Sequence, residues 1–211
     1  MVDNFSIDLM MFDVDGVLID TLTDSYETDK VVIREFGGKV PTMHQYRAAL
    51  ANTDWDSFYQ GFGIKQEHVK AATQRYYELL PIDVKPTEHA EYTLRNTKRP
   101  KAIISKYKDR DKLLVRLDSA GLLKHLDHGS IYAVTDSKIL SIIKECDRMN
   151  IPRNKAAYVG DSVADIAESL EAKVNPIALS NDQSYCNHEN LYRAGPRMII
   201  SDLRQILPYV K

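Results

Sequence analysis

The chain has 211 residues, of which 44% are hydrophobic and 27% charged; 28 Lys+Arg stand against 30 Asp+Glu, a formal net charge of -2. This composition excludes wholesale disorder, collagen and coiled-coil rods, and a chain of this length buries about 70% of its unfolded surface, so it needs no disulfide or metal staple to fold. The near-balanced charge argues against a dedicated nucleic-acid binder and against an electrostatic membrane anchor.

The first strong segment is the apolar run from Ile7 to Phe12, which suits a strand buried on both faces of a parallel sheet. Residues 23–98 then read as helical. A helix from Ser25 to Phe36 is closed by Gly37 and Gly38. Thr42 and Gln45 form a capping box that opens a helix through Leu50. Helical pattern continues over Asp54 to Gln60 and Gln66 to Leu80, with breaks at Gly61 and Pro81, and Thr87 is placed to cap a helix through about Asn96. After Pro100 strands and helices alternate. The strands are Lys101 to Ser105, Ser130 to Val134, Ala156 to Val159, Pro176 to Leu179 and Met198 to Ile200. The helices between them are Asp109 to Ala120, Lys138 to Met149 and Val163 to Ala172, and a short helix over Leu203 to Leu207 ends the chain. Such alternation predicts right-handed crossovers and a parallel sheet covered on both faces. The expected fold is therefore α/β, a Rossmann-like sheet from residues 1–20 and 86–211, with a small α-helical cap domain over 21–85 inserted after the first strand. That cap should lie over the C-terminal edge of the sheet, where such folds bind ligands.

Cys146 and Cys186 are too few for a disulfide framework and lack metal-ligand spacing. The first residues have no basic, apolar signal pattern, and no stretch of about 18 apolar residues could form a membrane span. A cytoplasmic protein, monomeric or a homodimer, is expected.

The sharpest chemical signal is Asp13-x-Asp15-Gly16 directly after an apolar strand. Residues two apart in an extended segment point the same way, so both carboxylates can face one site. Two adjacent carboxylates repel unless a cation compensates them or one holds a proton, and Gly16 permits a close approach of backbone to ligand; a solvated turn would use the same residue types. A second acidic cluster, Asp161 and Asp165, also follows a strand and opens a helix, where Asp161 could equally act as a cap. Both clusters fall at strand C-termini of one sheet, which points to a hard metal with oxygen ligands. Ser105 ends a strand, where a hydroxyl could bind a phosphoryl oxygen or serve only a turn. Lys138 begins a helix, as surface lysines commonly do.

In order, Asp13-x-Asp15-Gly16, Ser105, Lys138 and Gly160-Asp161-Ser162 with Asp165 resemble the motifs of the haloacid dehalogenase superfamily of phosphohydrolases, over roughly residues 5–22 and 85–205. The helical insertion is similar to the cap of phosphoglycolate phosphatase-like and β-phosphoglucomutase-like members. The resemblance implies Asp13 as nucleophile, forming an aspartyl-phosphate, and Asp15 as the acid and then the base. It implies Mg2+ held by Asp13, the Asp15 backbone carbonyl and Asp161, with Asp165 steering ligands from behind. Ser105, Lys138 and the loop at Gly16 would bind the phosphoryl oxygens, with Lys106 as the second candidate for the cationic role. Superfamily dehalogenases lack an acid at the place of Asp15, so its presence favours phosphoester chemistry.

In the insertion, Trp55, Phe58, Tyr59 and Phe62 are spaced along one helix face, either as cap core or in part as a pocket wall. Arg47 and residues 51–54 are candidates for substrate contact by position. A cap closing over the site implies a small phosphorylated substrate and no macromolecular one. The leading expectation is a Mg2+-dependent phosphatase. Its rivals are a phosphomutase with the same intermediate, a signalling receiver module and a phosphate-binding pseudoenzyme. A receiver would place its second acid before the lysine, whereas Asp161 follows Lys138.

Overall fold

The computed structural model describes residues 6–50, 55–107 and 109–210. In chain order its elements are β1 (Leu9–Phe12), β2 (Ile19–Asp20), α1 (Leu22–Glu35), α2 (Met43–Leu50), α3 (Trp55–Gly61), α4 (Gln66–Leu79) and β3 (Lys85–Pro86). There follow α5 (Ala90–Asn96), β4 (Lys101–Ser105), α6 (Arg110–Ser119), β5 (Ile131–Ala133), α7 (Ile139–Arg148) and β6 (Ala156–Gly160). The last are α8 (Val163–Glu171), β7 (Asn175–Leu179), α9 (His188–Arg193) and β8 (Met198–Ile200), before a 3-10 segment over Leu203–Tyr209.

Six strands form one sheet in the order β5-β4-β1-β6-β7-β8, and every pairing in it is parallel. The apolar runs alternate between two cores, as a period of two dictates. Met10 and Phe12 of β1 join Ile103 and Val159 on one face, with Leu94 of α5 and Leu113 and Leu117 of α6. Leu9 and Met11 join Ile104 and Tyr158 on the other, with Ile142 and Cys146 of α7. Ile166 of α8 and Leu191 of α9 cover that second face further along, against Ala178. Strand order reverses around β1 and β6, and a crevice opens beyond the carboxyl ends of strands at such a reversal.

The chain leaves and re-enters this core through a two-strand antiparallel ribbon, Ile19 opposite Pro86 and Asp20 opposite Lys85. Two-residue strands carry no readable period, and the sequence gives no sign of this ribbon. The Thr42–Gln45 box forms as expected, Gln45 N donating to Thr42 Oγ1 at 3.3 Å and Thr42 N to Gln45 Oε1 at 2.9 Å. Thr87 does not cap α5. Its hydroxyl donates to the Val17 carbonyl at 2.5 Å, and the helix starts instead behind His89, in left-handed geometry at φ 65. Helix α9 falls in a stretch that the sequence left without an element. Among the described residues, no helix is long and apolar enough to cross a membrane.

The insertion has its own aromatic core. Phe58 meets Tyr46 edge-on at 5.6 Å and Phe62 at 5.2 Å, and Phe58 and Tyr59 are buried, so this part of the expected stripe is core. Residues 51–54 and the Trp55 side chain lie outside the described part. At the centre sits Asp29 of α1, which accepts hydrogen bonds from Tyr59 Oη at 2.7 Å and Tyr46 Oη at 2.9 Å.

Burial pushes the Asp29 carboxyl up from 3.8 to about 7, against the two hydroxyl donors. Between these values the unfolded chain has released a proton that the folded chain still holds, so folding stability falls as pH rises, by roughly 1 kcal/mol per pH unit. Asp29→Asn removes this contribution. In urea unfolding at pH values from 4 to 7, the variant should gain on the parent as pH rises; a pH-independent difference would contradict the assignment.

Candidate active site

Asp13 continues β1 by one residue, its amide donating to the Val159 carbonyl at 2.9 Å. The chain then turns tightly, Gly16 N donating to Ile19 O at 2.9 Å, with Gly16 at φ 76. A Cβ at Gly16 would collide with the Asp161 carboxylate. Glycine is needed there twice over, for its backbone angle and to let the acid of β6 approach the turn after β1.

Asp161 follows β6 and is not the cap of α8. Ser162 is, in a reciprocal capping box: Asp165 N donates to Ser162 Oγ at 3.1 Å, and Ser162 N and Oγ donate to Asp165 Oδ2 at 3.1 and 2.6 Å. Asp161 is thereby left to face the site, held by the Tyr185 amide at 2.5 Å from its Oδ2. Gly160 plays the same part for Asp165 that Gly16 plays for Asp161, since a Cβ there would collide with the Asp165 side chain.

Lys138 precedes α7 and is only 2% exposed. Its Nζ lies 3.0 Å from Asp13 Oδ1 and 2.6 Å from Asp165 Oδ1, above the Tyr158 ring. Asp13, Asp161 and Asp165 each offer a carboxylate oxygen, all within 4.8 Å of one another. Three close acids, Asp161 and Asp165 buried and Asp13 half-buried, share one buried cation, and the consequences differ among them. Burial lifts Asp13 to about 7 despite the Lys138 charge. Asp161 is pushed well above the ordinary carboxylate range by burial and then by the charges of Asp165 and Asp13. Burial also pushes Asp165 upward, but the charge and hydrogen bond of Lys138 outweigh it and hold this carboxyl low.

These residues open onto one cavity of about 870 Å³. Asp13, Asp15, Ser105, Lys138, Asp161 and Asp165 line its floor; Val69, Lys70, Thr73, Tyr76 and Tyr77 of α4 line its roof. Side chains scattered along the chain meet because β1, β4 and β6 are neighbours with their carboxyl ends level. Lys106 is also in the wall, but its Nζ is paired with Glu168 at 2.9 Å.

Arg47 stands apart from the residues that line the cavity: its Nη2 donates to the Ser184 carbonyl at 2.7 Å, fastening α2 to the loop after β7. The face that α2 turns to the core loop is set by packing of the insertion, which no local pattern states. Two residues near the acids have no place in the sequence reading. Tyr185 joins the site through its backbone amide, which leaves no sequence signature. Arg116 pairs with Asp15, Nη2 to Oδ1 at 3.0 Å. A charge lying between Leu113 and Leu117 on the buried stripe of α6 is the signal that could have revealed it.

A sequence model of haloacid dehalogenase-like hydrolases matches residues 10–179. No curated protein matches the chain. Among solved structures, a haloacid dehalogenase-like hydrolase from Streptococcus pneumoniae superposes with a TM-score of 0.83 at 17% identity, covering 97% of this chain and 99% of the other. A haloacid dehalogenase family hydrolase from Deinococcus radiodurans, solved with bound phosphate and sodium, gives 0.73 at 19% identity over 95% and 93%. A "predicted phosphatase" from Clostridium acetobutylicum gives 0.78 at 17% identity over 96% and 97%.

Proposed function

The chain belongs to the haloacid dehalogenase-like hydrolases, and from that premise we propose that it is a Mg2+-dependent phosphatase of a small phosphorylated metabolite, working through an aspartyl-phosphate. The observation that carries this reading is the convergence of Asp13, Asp15, Ser105, Lys138, Asp161 and Asp165 on one cavity. The bound phosphate of the Deinococcus structure agrees with it.

The site suits a divalent cation. Its donors are hard carboxylate oxygens, and burial first, then the neighbouring carboxylate charges, push Asp13 and Asp161 upward despite Lys138, so that a further cation would be favoured beside them. Asp13 and Asp161 would hold the ion, with Asp165 acting through Lys138 and Ser162, which already occupy both its oxygens. When bound, Mg2+ supplies the positive charge that lets an anionic carboxylate approach an anionic phosphate.

Asp13 attacks phosphorus, and the electron pair of the breaking P–O bond leaves on the substrate oxygen. Asp15 gives that oxygen a proton, then takes one from the water that attacks the acyl-phosphate and returns Asp13 as a carboxylate. Lys138 neutralises the transferring group, and the Ser105 hydroxyl donates to one of its oxygens.

Residues 21–85 act as a cap domain over a core of 1–20 and 86–211, and the cavity beneath α4 admits a metabolite rather than a folded protein. The two cysteines, unpaired and buried, fit a reducing cytoplasm.

Purified protein with Mg2+ should release free phosphate from p-nitrophenyl phosphate, and EDTA should abolish turnover until Mg2+ is restored in excess. Turnover indifferent to EDTA would remove the metal from this reading. Isomerised sugar phosphate without free phosphate would make the protein a mutase.

A further inference from the structure

We propose that Arg116 is a positioning residue that fixes the Asp15 carboxyl for proton transfer to the leaving group. The proposal rests on the phosphatase reading and assigns a role outside its motifs. Arg116 stands on the core-facing stripe of α6, with Leu113 and Leu117, and is 0% exposed. Asp15 is its one carboxylate partner among the described residues, at 3.0 Å. Among the described residues its Nε and Nη1 meet no hydrogen-bond acceptor, and its Nη2 reaches Asp15 Oδ1 as an ion pair. The guanidinium lies over the Tyr107 ring, 5.0 Å from the centroid.

Such an arrangement is costly for folding. A buried guanidinium with unmet N–H groups carries a desolvation penalty that a single carboxylate does not fully offset, and because Asp15 keeps 29% exposure its carboxylate stays hydrated once the partner is gone, so an apolar side chain of similar volume in place of Arg116 need not cost stability. What the arrangement does provide is a fixed Asp15. The Asp15 side chain keeps 29% exposure and lines the cavity, whereas Arg116 stands behind it, outside the wall. Asp15 occupies a tight turn where an isolated carboxylate would sample several rotamers; a planar cation on Oδ1 selects one. The support continues upward, because Tyr107 meets Tyr77 of the overlying α4 edge-on at 5.9 Å. The aromatic contact joins the base of Asp15 to the roof of the cavity.

In the step affected, Asp13 forms its bond to phosphorus, the P–O bond to the leaving group breaks, and the Asp15 proton passes to the departing oxygen that keeps the electron pair. A displaced Asp15 therefore penalises basic leaving groups, which need that proton, more than good ones, which do not. Simple loss of packing would lower both rates alike.

The test compares kcat/KM for phenyl phosphate and p-nitrophenyl phosphate in the parent, Arg116→Met and Arg116→Lys, with urea unfolding alongside. Arg116→Met should unfold at an unchanged or higher urea midpoint. Its kcat/KM for phenyl phosphate should fall ~100-fold, the scale of general acid catalysis, and fall at least ~10-fold less for p-nitrophenyl phosphate. Arg116→Lys, which keeps the charge, should recover part of the difference. Equal losses on the two substrates, or no loss, overturn the proposal. Should Arg116→Met fail to fold, it also fails the stability argument, and the Arg116→Lys substrate ratio then decides whether positioning survives. A parent that hydrolyses neither ester overturns the phosphatase reading itself, and this inference with it.

Discussion

Asp13→Asn should lower phosphatase turnover by about 10^4-fold or more, because a neutral amide can neither attack phosphorus nor leave again as a stable carboxylate. The fold should survive. Asp13 is one of three close acids around a single lysine, and desolvation already pushes its carboxyl up to about 7. Replacing it with a neutral side chain of the same shape relieves repulsion at a site where charge is disfavoured, and Lys138 keeps Asp165 as a partner at 2.6 Å. Thermal unfolding should therefore give a midpoint at or above that of the parent, while steady-state hydrolysis of p-nitrophenyl phosphate disappears. Residual turnover within tenfold of the parent would exclude Asp13 as nucleophile.

Lys138→Met should harm both stability and activity, because the same ammonium serves both. Its Nζ bridges Asp13 and Asp165, and the lysine side chain is only 3% exposed. Opposite unit charges about 4 Å apart at an effective dielectric near 20 attract by about 4 kcal/mol, and removing one partner of a buried pair typically costs 3–5 kcal/mol. Urea unfolding without metal should show a loss of this order. Turnover should drop by a further ~10^2 to 10^3-fold in the folded population, as for a lost charge-stabilising donor. Adding Asp165→Asn to Lys138→Met separates the two effects. Stability should partly return, since one uncompensated acid is gone, and activity should not. If both returned together, Lys138 would be a purely structural residue.

The acidic motifs were legible because their chemistry is contiguous. An apolar run followed by Asp13-x-Asp15-Gly16, or by Asp161 and Asp165, states a strand end, a shared direction and a helix start within ten residues. Strand and helix alternation likewise implies a parallel sheet, since the period of each segment is a local property. Ser105 and Lys138, a strand-end hydroxyl and a helix-start lysine that are commonplace by themselves, were singled out only by their place in the order of the motifs that the chain resembles.

What tertiary structure alone decided was everything that depends on which surfaces meet. The packing of α2 turned Arg47 to the Ser184 carbonyl instead of the cavity. The Thr87 hydroxyl went to a strand-exit carbonyl instead of a helix cap. Tyr185 entered the site through a peptide N–H that every residue but proline carries. Arg116 came to rest behind Asp15 although the two stand a hundred positions apart. Hydrophobic periodicity sets how each element folds, whereas burial of one element against another sets what its polar groups touch. The second is a sum over distant neighbours that no single stretch of sequence contains.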